Sequence, residues 1–424
     1  MQKFLGLILL CCLLCQRLEA QLWTQQNSGI GSALRSVAFY DKNFGFAVGD
    51  TSLVTKDGGI HWSVLRDVDS AHYVYIDSVG ELWITLINGN LLRSLDSGQT
   101  FMKTTFINKQ LYGVQRHKET VWVTSSDFGL YFSIDTGKTF APGNVNNGNT
   151  VPSSADEQAY YSVCFVNGTD GIVVGSESWL IKSLPHTVVK KANVHTTINS
   201  GQLWQREDMA QGVETLNTYN VQAVSSSTAY IVGSQSYIGA ALFNENRTAK
   251  LSYSENSDTS FFGLYFFSPQ RGFVVGSYGN ILYTVDPSKQ WRSVYSPVRS
   301  TLRSITFTDS LNGWIVGDRG VILHTGLGGF SVVKPYGSSL GNQLISLSYD
   351  SRKKELLITD NCDQLLMPKI MLYSILGKPV GSSNVAEKKT NTQYSFHIDN
   401  LPEGVYLGVI NSNSHIYTAK LIVL

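Results

Sequence analysis

One three-part pattern returns along this chain, and few folds can hold it. A short aliphatic strand is followed by a second strand ending in Val-Gly, then by a turn and an aromatic residue. The first copy reads Leu34-Arg35-Ser36-Val37-Ala38-Phe39, then Gly45-Phe46-Ala47-Val48-Gly49, then Thr55-Lys56-Asp57-Gly58-Gly59-Ile60-His61-Trp62. Near the end it returns as Leu302-Arg303-Ser304-Ile305-Thr306-Phe307 and Gly313-Trp314-Ile315-Val316-Gly317. Further copies open near His72, Leu111, Tyr160, Tyr219 and Phe261, which makes seven. A repeat of roughly forty residues is one supersecondary unit that cannot bury its faces alone, so neighbours must stack. Each copy has room for four short strands, the outline of one propeller blade. The expected fold is all-β: a seven-bladed β-propeller over 21–338, with a small antiparallel β-sandwich over 339–424.

The turn has the spacing Ser/Thr-x-Asp-x-Gly-x-x-Trp/Phe. It occurs at Thr55/Asp57/Gly59/Trp62, Ser94/Asp96/Gly98/Phe101 and Ser133/Asp135/Gly137/Phe140. Weaker copies are Thr197/Asn199/Gly201/Trp204 and Thr284/Asp286/Ser288/Trp291, and the pattern has decayed in the fifth and seventh copies. The carboxylate is suited to accept backbone N–H bonds across a hairpin, and glycine to take the left-handed position. Recurrence once per unit assigns Asp57, Asp96, Asp135, Asn199 and Asp286 to structure rather than catalysis, since an active site is built once. Ring closure requires an outer strand from the N-terminus, so 21–26 is expected to complete the blade that holds Gly313–Thr325. The polar stretches Ala141–Ala159 and Ser183–Thr196 read as inserted loops.

Composition narrows the functional classes. Thirty-three Lys+Arg against 32 Asp+Glu give a net charge of +1, without the basic excess a nucleic-acid binder needs. The 38 Gly, 21 Tyr, 19 Phe and 8 Trp suit short strands joined by tight turns. Met1–Ala20 reads as a secretory signal: Lys3, an apolar run Leu5–Leu14, and Ala20 before the cut. Cys11, Cys12 and Cys15 would leave with it; Cys164 and Cys362 remain, too few for a disulfide framework or a metal site. No transmembrane helix, cofactor or metal is expected.

The Val-Gly strand with its Asp turn, as in Gly45–Asp50 and Lys56–Trp62, resembles the propellers of the photosystem II stability and assembly factor-like family. The turn alone also resembles the Asp-box of sialidases and sortilin-type receptors. The first resemblance implies a protein-binding or assembly propeller without naming its partner. The tail resembles the type IX secretion C-terminal sorting domain of the Bacteroidota, through Tyr373-Ser374-Ile375-Leu376-Gly377-Lys378 and Leu401-Pro402-Glu403-Gly404-Val405-Tyr406. That resemblance implies export to the cell surface or beyond, with the type IX machinery as partner.

On a propeller the ligand face is formed by the loops after the Val-Gly strand and before the inner strand. Asp50, Trp179, Tyr237, Tyr278, Asp318 and Arg319 are expected there, with Arg299 beside the next inner strand and Arg35 and Arg303 pointing to the channel rim. Arginine and exposed aromatics on a rigid rim are hot-spot chemistry for a protein or glycan partner. The alternative is a sialidase-like exo-glycosidase. Arg35 and Arg303 would suit its arginine cluster, but the Arg-Ile-Pro element such enzymes carry is absent.

Overall fold

The computed structural model describes residues 22–126, 129–146, 157–181, 187–207, 216–243, 247–250 and 258–329. In the tail it describes 345–350, 353–360, 368–374, 379–383, 387–390, 393–398, 401–402, 404–412 and 415–423. Trp23–Gly329 forms one compact unit, and Phe330–Leu424 belongs to a second. The leader, Cys362 and the Gly377-Lys378 turn lie outside the described residues.

The first unit contains seven antiparallel meanders. They open on the strands Leu34–Phe39, Ala71–Ile76, Leu111–His117, Glu157–Phe165, Thr218–Ser225, Phe261–Ser268 and Leu302–Phe307. Each of these inner strands lies against the next, and the last lies against the first. The strand after each is the Val-Gly strand or its counterpart. Gly45–Gly49, Leu82–Leu86 and Gly313–Gly317 are buried at every position. Sheets stacked on both faces explain why these strands read as unbroken apolar runs instead of alternating.

The core is correspondingly divided into one apolar cluster per pair of neighbouring sheets. Phe46 and Val48 meet Leu82 and Ile84, and Trp83 meets Val121 and Val123. Trp122 meets Tyr160 and Val173, Ile172 meets Ile231, and Val232 meets Phe261 and Val274. Trp314 and Val316 return to Leu34 and Ala47. The sixth and seventh sheets meet through aromatics: Trp23 stands edge-on to Phe273 at 6.2 Å and to Phe307 at 5.8 Å.

The outer strand of the seventh sheet comes from the start of the chain, as expected. Thr24–Gln26 pairs with Ile322–Thr325 in the register Thr24↔His324 and Gln26↔Ile322. Trp23, immediately before it, is fully buried and donates from Nε1 to the Gly329 carbonyl at 2.9 Å.

One inserted-loop expectation is overturned. Within Ser183–Thr196 the described residues are strand: Thr187–Thr197 pairs residue for residue with Gly171–Ile181. The pair outruns its neighbours because Ser176-Glu177-Ser178-Trp179 offers no Gly, Asn or Asp to turn the chain after Val174-Gly175. Ala141–Ala159 is strand at both ends, with Ala141–Pro142, Val145–Asn146 and the start of Glu157–Phe165 all paired. Val145–Asn146 runs parallel to Trp204–Arg206 and gives the fourth sheet a fifth strand.

In the second unit the described residues form two four-stranded antiparallel sheets. Their inner faces share one cluster: Leu356, Ile358, Tyr394 and Phe396 from one sheet, Ile370, Leu372, Ile410 and Leu421 from the other. Tyr406, in the second of the two turn motifs, donates its hydroxyl to the Pro402 carbonyl at 2.7 Å.

Candidate functional site

The Asp turns account for their own chemistry. In the third sheet Ser133 Oγ donates to Asp135 Oδ1 at 2.7 Å and accepts from the Gly137 N–H at 2.8 Å. Asp135 Oδ1 accepts from the Thr139 N–H at 2.9 Å, and Oδ2 from the Thr139 hydroxyl at 2.6 Å. Asp57, Asp96 and Asn199 accept in the same way from His61, Thr100 and Leu203. Asp286 serves a shorter turn through Ser288 and Lys289. Even the decayed seventh copy keeps half of the motif, since Thr325 Oγ1 accepts from the Gly329 N–H at 3.0 Å. Hydrogen bonds from His61 hold the Asp57 carboxyl down at about 2, and those from Thr100 do the same for Asp96.

The turn glycine has a second task that its spacing does not show. Gly137 sits at φ 82°, and a Cβ there would lie 2.5 Å from the Trp83 ring of the preceding sheet. Gly98 lies against Phe46 and Gly201 against Trp122 in the same manner. These three turns therefore lay their backbone on an aromatic of the neighbouring sheet, while Gly59 lies against the Gln26 side chain. Gly137→Ala is expected to cost about 2–4 kcal/mol, from overpacking and left-handed strain together. Chemical denaturation measures it, and a cost below about 0.5 kcal/mol would show that the ring yields freely.

At the opposite ends of the strands the structure brings together a set the sequence reading found only in part. Every inner strand carries a register shift, at its start in six sheets and after four paired residues in the fourth: between Leu34 and Ser36, Ala71 and Tyr73, Leu111 and Val114, Tyr160 and Ser162, Thr218 and Asn220, Phe261 and Gly263, and Leu302 and Ser304. A bulge re-aims the residue it leaves unpaired. Those residues are Arg35, His72, Tyr112 (with Gly113 beside it), Tyr161, Tyr219, Phe262 and Arg303, giving one side chain beyond glycine from each sheet.

They touch in succession. Ring centroids are 4.8 Å apart for His72 and Tyr112, 5.0 Å for Tyr112 and Tyr161, 5.9 Å for Tyr161 and Tyr219, and 4.9 Å for Tyr219 and Phe262. The Arg303 guanidinium lies 5.7 Å from the Phe262 centroid, and Arg35 donates to the Ala71 carbonyl beside His72 at 3.3 Å. The result is a collar of five rings and two guanidinium groups. Burial first, then the charges of Arg35 and Arg303, lowers the His72 pKa to about 4, so the imidazole is neutral at pH 7. Farther along the same strands is a cavity of about 170 Å³ lined by Tyr73, Tyr75, Gln115, Ser162, Cys164 and Gln222. Burial pushes the Cys164 thiol up to about 12.

Both collar arginines are paired within their own sheet. Arg35 meets Asp50 at 2.5 Å, and Arg303 grips Asp318 through Nε at 2.5 Å and through a second nitrogen at 3.2 Å. Asp50 and Asp318 each follow the glycine of a Val-Gly strand, opposite the arginine across the bulge.

The remaining rim residues divide. Tyr278 is 66% exposed and Arg299 and Arg319 are also exposed. Tyr278 and Arg319 occupy equivalent turns, Ser277–Gly279 and Asp318–Gly320, with left-handed φ of 58° and 61°. For residues other than Gly, Asn and Asp this costs roughly 1 kcal/mol or more. Tyr237 is a correction: it is 3% exposed and packs in the core between the fourth and fifth sheets. Gln235 and Ser236 are left-handed, so the chain reverses before Tyr237 and carries it back into the sheet. Trp179 is a second correction. It lies within the strand Gly171–Ile181, opposite Val189, and not in a loop.

Among the described residues no cluster of His, Cys, Asp or Glu is placed to hold a metal ion. No helix among them is long and apolar enough to cross a membrane.

Residues 352–424 match the family model of the secretion system C-terminal sorting domain, which points to delivery to the cell surface or outside. No curated protein matches the chain. Among solved structures, YCF48 from Cyanidioschyzon merolae is similar over 72% of this chain and 98% of its own, at 17% identity and a TM-score of 0.56. A structure of YCF48 bound to D1 peptide is similar over 73% of this chain and 96% of its own, at 17% identity and a TM-score of 0.54. The WD40 β-propeller domain of Doa1 covers 72% of this chain and 95% of its own, at 10% identity and a TM-score of 0.55. At such identities the likeness speaks for the fold alone, a β-propeller. The resemblances drawn from the repeats and from the tail both stand.

Proposed function

We propose that this chain is a secreted or cell-surface binding scaffold: a seven-bladed propeller whose collar face takes a protein or glycan partner, followed by a β-sandwich read by the type IX secretion machinery. The observation that carries this reading is the collar. Seven bulges at one register position aim one side chain per sheet at one rim, and those side chains are arginine and aromatic, the residue types that dominate binding hot spots. The YCF48 structure bound to D1 peptide supports a propeller of this build as a peptide-binding platform.

The scaffold is non-catalytic in this reading. A sialidase-like site needs its arginines free for a substrate carboxylate, whereas Arg35 and Arg303 already hold Asp50 and Asp318. The turn carboxylates Asp57, Asp96, Asp135 and Asp286 stand in four different sheets, each engaged in its own turn.

The double variant Arg35→Ala/Arg303→Ala tests this. The full chain is used to capture partners from the native cell envelope, and the variant is expected to lose about tenfold or more in affinity for what the parent retains. Turnover of any member of an arylglycoside panel by the parent, abolished in the variant, would replace the scaffold with the glycosidase.

A further inference from the structure

We infer that the collar face over the sixth and seventh sheets binds an anionic polysaccharide built of uronic acid units, an inference that rests on that face being the binding face. Two turns bound the strip, Ser277–Gly279 and Asp318–Gly320, and the connection 295–301 runs between them. The Val298 carbonyl packs against Gly279 so closely that no Cβ fits there. At the other end the Asp318 N–H donates to the Thr301 carbonyl at 2.9 Å. Tyr278, Tyr295, Arg299 and Arg319 therefore share one continuous stretch of backbone contacts.

All four side chains face solvent. Tyr278 and Tyr295 are 66% and 61% exposed, and Arg299 and Arg319 form no ion pair among the described residues. In contrast, Arg35 and Arg303 are neutralised by their aspartates. Tyr278 and Arg319 hold their positions against a left-handed backbone that asparagine or glycine would adopt with less strain. Strain at an exposed position, without packing to justify it, marks a side chain held out for contact.

A uronic acid unit meets both chemistries of the strip at once. Its C–H face packs on a tyrosine ring, and its carboxylate takes paired N–H donors from a guanidinium. An acidic peptide would use the arginines and leave two exposed rings idle.

The test uses the full chain with three probes: polygalacturonate, the same polymer fully methyl-esterified, and poly-L-glutamate. Binding is expected to polygalacturonate and to be at least tenfold weaker to the other two. Tyr278→Asn and Arg319→Asn are each expected to weaken that binding about tenfold. The same substitutions relieve the left-handed strain and raise the melting temperature by about 1–3 °C, which a structural role for either side chain would not do. Arg299→Gln, outside both turns, is expected to weaken binding with the melting temperature unchanged.

Equal binding of the ester, or of poly-L-glutamate, overturns the inference, and so does no binding of polygalacturonate. If envelope capture still depends on Arg35 and Arg303, such a failure removes the glycan and leaves the scaffold. Loss of both removes the scaffold as well.

Discussion

Trp23→Ala lowers the stability of the chain by about 3–5 kcal/mol, the cost of emptying a fully buried indole site. Three observations set that size. The side chain is 0% exposed, its Nε1 donates to Gly329, and it stands edge-on to Phe273 and Phe307 at the junction of the sixth and seventh sheets. It also anchors Thr24–Gln26, so removing it loosens the only outer strand of the seventh sheet among the described residues. Trp62→Ala is the control: that ring is half-buried and donates only to the side chain of Gln26, so the loss is smaller. Guanidinium unfolding of both variants measures the difference. A Trp23 variant as stable as the parent would show that the seventh sheet holds without its N-terminal strand.

Deleting 341–424 abolishes export, and the truncated chain accumulates in the periplasm. The match of 352–424 to a sorting domain supports this, as does an independent core made only of tail residues. Since Trp23–Gly329 is compact by itself, the truncated protein keeps its strands and its collar. Cell fractionation with circular dichroism separates a sorting failure from a folding failure. Normal release of the truncated chain sinks the sorting role.

Much of the architecture was legible because it repeats. Seven inner strands stand where Leu34, His72, Leu111, Tyr160, Tyr219, Phe261 and Leu302 marked them, since stacking on both faces leaves unbroken apolar runs that periodicity exposes. Arg35 and Arg303 were found by their place in the first and last copies. Their companions His72, Tyr112, Tyr161, Tyr219 and Phe262 were missed, although four of them are the second residue of their inner strand and Tyr161 is the fifth of its longer one. In a regular strand that position alternates faces, and only a bulge, which has no local composition signal here, brings all seven to one rim.

The two corrected residues fail for opposite reasons. Trp179 follows Val174-Gly175, where other copies turn, but here the polar residues that follow continue the ladder. Tyr237 does follow a turn, yet two left-handed residues tighten it and return the ring to the core. Turn length is decided by backbone angles that residue types only bias.

The pairing of Thr24–Gln26 with Ile322–Thr325 also dictates an order of events. The first strand among the described residues has no partner until 300 residues later, the separation of Thr24 from His324. Six sheets can assemble in turn as their own segments emerge, whereas the seventh waits with an open edge. Locking the two ends of the first unit together is therefore the slow, late step, and a protein caught in transit before it would present that edge to its surroundings.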